Sequence, residues 1–281
     1  MRVSRATAAA VAASASLVAV LLGCTGTAPV PGPGAGPRTS AGPAPGDACA
    51  GDAHAATLGS VDGPTHAAAP GPRAAVGDGV LLDEPFAGLR LDEPWADGSR
   101  HGVWQSVYDG YGTTRLHGGE TVVLSQCPEA STSDEETHGA LAVTVREYGD
   151  VDLTVRQRTV HQLRTPEPNT WEVPWVLWAR SDDEHFYYLV LKPNGWELGK
   201  EDPAYPGAQR FLATGSSPAF PVGDWHTARV RHSGDTIEVW GDGRFLTRFV
   251  DRERPYRGGH VGLYTEDAHV EHADLVVRRG G

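Results

Sequence analysis

Beyond about residue 80 the chain alternates apolar and polar side chains over short stretches, each bounded by Gly, Pro, Asp or Asn. A repeat of two residues sends successive side chains to opposite faces of an extended segment, so the pattern predicts half-buried β-strands. It covers Glu120–Leu124, Ala140–Val145, Asp152–Val160, Trp171–Ala179, His185–Lys192 and Trp196–Lys200. It continues through Thr227–His232, Thr236–Trp240, Arg244–Phe249, Gly259–Tyr264 and His269–Val277. No segment sustains the stripe of an amphipathic helix. Two hairpins are legible in their turns. Lys192-Pro-Asn-Gly-Trp196 uses Pro to fix one φ and Gly to take a positive one, and Gly241-Asp-Gly243 joins the two strands around it. Short antiparallel strands without helices bury their apolar faces by stacking, which predicts an all-β sandwich of two antiparallel sheets.

The N-terminal part lacks this alternation. Met1 to Arg5 is short and basic, and Ala6 to Leu22 is an Ala-rich apolar run too short to be read first as a spanning helix. It ends at Leu21-Leu22-Gly23-Cys24, which resembles the bacterial lipoprotein signal: a small residue before the cysteine admits the peptidase, and the thiol takes the diacylglycerol. That resemblance implies a signal peptide at residues 1–23 and lipidation of Cys24. The mature protein would then sit on the outer face of the bacterial cytoplasmic membrane, since two or more acyl chains hold a protein stably where one does not. An ordinary secretory signal with an incidental cysteine is the alternative. Residues 24–78 are mostly Pro, Gly, Ala, Thr and Ser, with too little bulky apolar surface to offset the entropy of ordering, and predict a disordered tether. About fifty such residues reach roughly 40 Å even as a flexible coil, enough to lift the domain at 79–279 clear of the headgroups.

Lipidation of Cys24 leaves Cys49 and Cys127 as an even pair among the three cysteines, and an oxidising compartment favours a disulfide between them. A buried Cys127 with a loose Cys49 is the alternative. The formal charge of −12 and the lack of a basic cluster argue against nucleic acid and against a headgroup-binding face. The twelve His residues are scattered without zinc spacing, no Gly-rich phosphate loop precedes a helix, and no Gly-x-Ser-x-Gly elbow occurs. Zinc, nucleotide and esterase chemistry are therefore not indicated.

The C-terminal series is more specific. Gly223-Asp-Trp-His226, the Val239-Trp-Gly-Asp-Gly243 hairpin, Gly259-His-Val-Gly-Leu-Tyr-Thr-Glu-Asp-Ala-His-Val270 and the closing Ala273-Asp-Leu-Val-Val277 strand together resemble the concanavalin A-like jelly roll. Within that fold the series is similar to the domain family of 3-keto-disaccharide hydrolases, loosely called family-16-like glycosidases. Leu82-Asp-Glu-Pro-Phe86 resembles the family's opening strand, and the likeness spans nearly all of Leu81 to Arg279. It implies a concanavalin A-like jelly-roll sandwich with an oligo- or polysaccharide ligand on its concave sheet. Such motifs establish architecture better than activity.

Trp171 to Thr214 holds half of the eight Trp residues beside Glu172, Lys192, Glu197, Lys200, Asp202, Gln209 and Arg210. Flat rings stack on the C–H faces of sugars, and charged or amide groups bind the hydroxyls. Strand parity puts Trp171, Val173, Trp175 and Leu177 on one face with Phe186, Tyr188, Val190 and Lys192, and Glu172, Val176 and Trp178 on the other. A slip of one residue exchanges the faces, so parity alone does not say which is core. Trp171, Trp175 and Trp196 are the candidate stacking rings, with core filling the alternative for each. Lys192, Lys200, Asp202, Gln209 and Arg210 are candidate ligand-binding groups, Arg210 through its planar fork. Glu201 to Thr214, rich in Pro and Gly, reads as a long irregular loop of the kind that carries binding residues. Glu172 with Lys192 and Glu197 with Lys200 could equally be cross-strand ion pairs.

Cleaving a glycosidic bond needs two carboxyls, about 5 Å apart for retention and farther for inversion. Family-16 enzymes carry theirs in a Glu-x-Asp-x-Glu run on one strand, and this chain has none. Asp150-Val-Asp152 and Asp182-Asp-Glu184 come nearest and read as turn acids. Glu172 and Glu197 remain as the candidate acid and base. Similar domains often hold a structural Ca2+ where the first and last strands meet, which makes Glu84 and Asp274 the candidate ligands, with Asp83, Glu266 and Asp267 nearby. Solvated turn acids are the alternative. The expectation is a membrane-anchored glycan-binding protein; glycoside hydrolysis on the same face and a calcium-stabilised envelope module are the alternatives.

Overall fold

The computed structural model describes Cys49 and residues 79–118, 121–133 and 135–281. The expected signal peptide, Cys24 and all of the tether except Cys49 lie outside the described residues, as does Glu120 at the start of one expected strand. The strands are β1 (Val80–Glu84), β2 (Arg100–His101), β3 (Trp104–Tyr108), β4 (Thr113–His117), β5 (Val123–Cys127), β6 (Gly139–Tyr148), β7 (Val151–Gln162) and β8 (Trp175–Asp182). They continue as β9 (His185–Lys192), β10 (Gly195–Glu201), β11 (Gln209–Gly215), β12 (His226–Ser233), β13 (Thr236–Gly241), β14 (Arg244–Val250), β15 (Gly259–Glu266) and β16 (Ala268–Arg279).

The strands form two antiparallel eight-stranded sheets. The first has the order β14-β13-β12-β7-β16-β5-β4 with β1 on β16, and the second β11-β10-β9-β8-β15-β6-β3-β2. The first and last strands thus lie side by side. This is the all-β, concanavalin A-like jelly-roll sandwich that the C-terminal motifs imply. Its core follows from the two-residue period: Val151, Leu153 and Val155 of β7 face inward, as do Val176 and Trp178 of β8 and Leu189 and Leu191 of β9. Both expected hairpins are present. Gly195 takes φ +137° opposite Lys192, and Asp242 and Gly243 both have positive φ, the combination a two-residue turn needs to match strand twist.

Other boundaries moved. The expected Glu120–Leu124 strand lies at Val123–Cys127. The Trp-rich strand begins at Trp175, because Pro174 has no N–H to give a ladder, and it runs on to Asp182 through a bulge where Ala179 has φ +50°. Gln209–Gly215 is the edge strand β11, so the irregular part of the expected loop shrinks to Asp202–Ala208. Pro and Gly on both sides of β11 masked its alternation. β2, β3 and β4 were not anticipated; β3 turns Ser106 inward, which blurs the apolar period.

Candidate functional site

The second sheet turns one face to the core and the other away from it, and parity divides the aromatic block between them. Trp178, Tyr187, Trp196 and Leu198 belong to the core. Trp175, Leu177, Tyr188 and Val190 form a separate cluster on the outer face, with Trp171, Tyr108, Phe186 and Tyr264 packed against it. Two ring contacts cross the adjacent strands β15, β8 and β9, and a third runs along β9. Tyr264 meets Trp175 edge-on at 5.7 Å between centroids, Trp175 lies 4.7 Å from Tyr188, and Tyr188 lies 6.4 Å from Phe186. Two glycines make room for this floor. A Cβ on Gly199 would stand 2.0 Å from the Tyr188 ring, and one on Gly139 would stand 2.8 Å from Tyr264. Any larger residue there would push a ring off the sheet.

Polar side chains rise from the same face. Tyr188 Oη donates to Glu197 Oε1 at 2.9 Å, Lys192 Nζ donates to Glu197 Oε2 at 2.8 Å, and Gln209 Nε2 donates to Tyr188 Oη at 2.9 Å. Glu201 pairs in register with Phe186 and Gln209, so its side chain shares their face. It is 5% exposed, and its carboxyl has no hydrogen-bond partner among the described residues. Burial, reinforced by the charges of Glu266, Glu184 and Asp202, raises its pKa to about 8. Glu266 ends β15 and accepts a hydrogen bond from Tyr264 Oη at 2.8 Å. Burial outweighs that bond and lifts Glu266 to about 7. Burial also raises the phenols of Tyr108 and Tyr264, with the charges of Asp183 and Glu266 adding to it, so both remain donors. Two carboxyls that titrate near neutrality above an aromatic floor can give and take a proton at a bound molecule.

The structure distributes the sequence-derived candidates unevenly. Trp175, Lys192, Glu197 and Gln209 come together on the outer face. Trp171 precedes the strand, where its carbonyl accepts Trp175 Nε1 at 2.8 Å. Trp196 is a correction: it is packed into the core, donates to the Ser217 carbonyl and lies against Gly215. Glu172 is another. Pro174 keeps it out of the sheet, and its buried carboxylate pairs with Arg164 and accepts from Asn169 rather than facing Lys192 or Glu197. Glu197 and Lys200 are three residues apart on one strand and so point to opposite faces. Fully buried Lys200 donates to Asp251 Oδ2 and to the Glu253 and Arg254 carbonyls, each at 2.8 Å. Asp202 accepts the Ala204 N–H within its turn and pairs with Arg254 at 3.1 Å. Arg210 donates to Tyr205 Oη at 2.7 Å and pairs with Glu253.

Glu201, Tyr108 and Tyr264 were not among the candidates, and Glu266 entered only beside the expected calcium ligands. For Glu201 the signal was available: it lies four residues beyond Glu197, at the same parity. Glu266 and Tyr264 reach the site only through the pairing of β15 with β8.

Glu84 Oε1 accepts the Phe86 N–H at 2.6 Å, and Asp274 pairs with Arg156 at 2.9 Å. Among the described residues no three His, Cys, Asp or Glu side chains gather to hold a metal ion. Glu84 and Asp274 do not fit the expected calcium clamp, since each is engaged elsewhere. Cys49 and Cys127 are joined in a disulfide, and Arg115 Nη2 donates to the Cys49 carbonyl at 3.2 Å.

Solved structures similar to this chain include the carbohydrate binding module CBM66 from Bacillus subtilis, at TM-score 0.45 and 13% identity over 63% of this chain and 95% of that one. The laminarinase from Rhodothermus marinus gives 0.48 and 16% over 72% and 97%. The beta-glucanase of Bacillus licheniformis gives 0.42 and 12% over 70% and 100%. No curated protein matches the chain. Residues 86–278 match the 3-keto-alpha-glucoside-1,2-lyase-like domain, and by that match over most of its length the chain belongs to this family.

Proposed function

We propose that the outer face of the second sheet binds a saccharide over Trp175, Tyr188 and Tyr264 and cleaves the glucosidic bond of a 3-keto-α-glucoside by acid–base elimination. The observation that carries this is the pair Glu201 and Glu266, with pKa values of about 8 and about 7 on one aromatic-floored face. The family match supports this substrate class. A ketone at C3 acidifies the C2–H. Glu266, the more readily ionised of the two, takes that proton. The C–H electron pair forms the C1=C2 bond, the C1–O bond breaks, and Glu201 gives its proton to the departing oxygen. Tyr108 supplies a donor for the charge that develops on the C3 oxygen. The products are a free alcohol and a 1,2-unsaturated 3-keto sugar, with one proton moved from Glu201 to Glu266 overall.

Methyl 3-keto-α-glucoside tests this. Glu201→Gln and Glu266→Gln should each slow its cleavage by about 10²- to 10⁴-fold while the fold persists. Undiminished turnover in both variants would refute the assignment. Glycan binding without cleavage is the second reading, favoured by the Lys192–Glu197–Tyr188–Gln209 chain, which suits hydroxyl recognition better than proton transfer.

The same proposal places the domain on the outer face of the bacterial cytoplasmic membrane, held by acyl chains on Cys24. Leu21-Leu22-Gly23-Cys24 supports this, and the Cys49–Cys127 disulfide suits an oxidising compartment. Incorporation of an alkyne fatty acid into the expressed chain, abolished by Cys24→Ser, is the expected result.

A further inference from the structure

We infer that Phe211 is a second saccharide platform, which stacks on a pyranose ring one or more sugars away from the scissile bond and makes the chain selective for oligosaccharides. The inference rests on the saccharide reading of the outer face. Phe211 belongs to β11, the edge strand of the second sheet, and is 58% exposed. A bulge between Leu198 and Gly199 sets its direction. The two residues after it, Leu212 and Ala213, pack against the core, and Phe211 itself pairs with Gly199. Gly199 in turn pairs with Tyr188, so Phe211 rises on the same outer face as the Tyr188 ring. Two strand spacings separate their backbones, about 10 Å.

Edge strands ordinarily carry charge at exposed positions, because an uncovered apolar side chain there invites unwanted pairing. Here the exposed position holds a phenyl ring bordered by polar groups. Gln209 lies two residues before it and donates to Tyr188, and exposed Thr214 pairs with Glu197 in register. A flat apolar platform with an amide on one side and a hydroxyl on the other matches a pyranose, which has apolar C–H faces and a hydroxyl rim. A protein partner would need about 800 Å² of complementary surface, which one ring among polar groups does not offer. The Gln209–Tyr188–Glu197 hydrogen-bond chain makes this edge continuous with the floor beneath the proposed reaction site.

The test compares a short and a long substrate, methyl 3-keto-α-glucoside and 3-keto-maltotriose, and adds unoxidised maltotriose as an unreactive ligand followed by calorimetry. Phe211→Ala should raise KM for the trisaccharide and weaken maltotriose binding by about five- to tenfold, leaving kcat/KM for the methyl glucoside within about twofold. Phe211→Trp should restore or exceed the parent. If the unaltered chain cleaves nothing yet binds maltotriose through Phe211, the catalytic reading fails and the platform stands. The platform is overturned by equal losses on the short and long probes, by no loss on the long one, or by no maltotriose affinity in the unaltered protein.

Discussion

The charge on Glu266 helps hold the proton on Glu201 across the outer face of the second sheet. Cleavage should therefore have two limbs, rising as Glu266 ionises near pH 7 and falling as Glu201 ionises near pH 8. The coupling is separately measurable. In Glu266→Gln the Glu201 carboxyl, followed by 13C NMR, should titrate below about 8 yet stay well above an ordinary glutamate, because burial is the larger cause of its shift. An unchanged Glu201 titration would separate the two groups and dissolve the pair.

Glu201 also costs the fold stability at high pH. Its folded pKa of about 8 lies above the ordinary 4.5, so the folded chain retains a proton that the unfolded chain releases. Its contribution is whole below 4.5 and is lost as pH rises through about 8. Gln cannot ionise. Glu201→Gln should raise the melting temperature by several degrees at pH 9 and change it little at pH 4, by scanning calorimetry. Equal shifts at both pH values would mean that the gain comes from packing.

The architecture was legible because alternation, hairpin turns and the closing-strand motifs all pointed to one sandwich. His185–Lys192 is a strand with the expected limits, and Trp175 shares its face with Tyr188 as parity requires. The site was less legible. Pro174 withdrew Glu172 from the sheet, a change that alternation alone does not register. Parity on β10 already separated Glu197 from Lys200, but charge complementarity suggested a pair and masked the better companion, Glu201. Glu266 reads from the sequence as a neighbour of the expected calcium ligands or as a turn acid near the C-terminus. Only the pairing of β15 with β8 carries its strand to the aromatic floor.

Arg164 is bound between Glu172 and Asp267, all three buried, and it also donates to the Ser133 and Glu136 carbonyls. Removing one partner of a buried set leaves charge without compensation, which costs about 3–5 kcal/mol. Arg164→Met should lower the unfolding free energy read from urea titration by that order, and Glu172→Gln by less, since it keeps the shape and part of the hydrogen bonding. Cleavage per folded molecule should survive in Glu172→Gln. Loss of turnover at full folding would return Glu172 to the reaction.

His272 is fully buried on β16, opposite Gln157 of β7 and Leu124 of β5, and neither of its ring nitrogens has a hydrogen-bond partner among the described residues. Burial alone lowers its pKa from 6.5 to about 3, so the folded chain keeps it neutral. The unfolded chain takes up a proton below 6.5 that the folded chain refuses until about 3. Stability from this group is complete above 6.5 and declines as pH falls, by up to about 1.4 kcal/mol per pH unit. Other groups titrate in the same range, notably Glu266, so the informative quantity is the difference between parent and His272→Leu. Urea unfolding at pH 7 and pH 5 should show the variant gaining on the parent by about 2 kcal/mol across that interval, whatever its stability at pH 7. Parallel pH dependences would mean that the imidazole reaches solvent or a partner when it protonates.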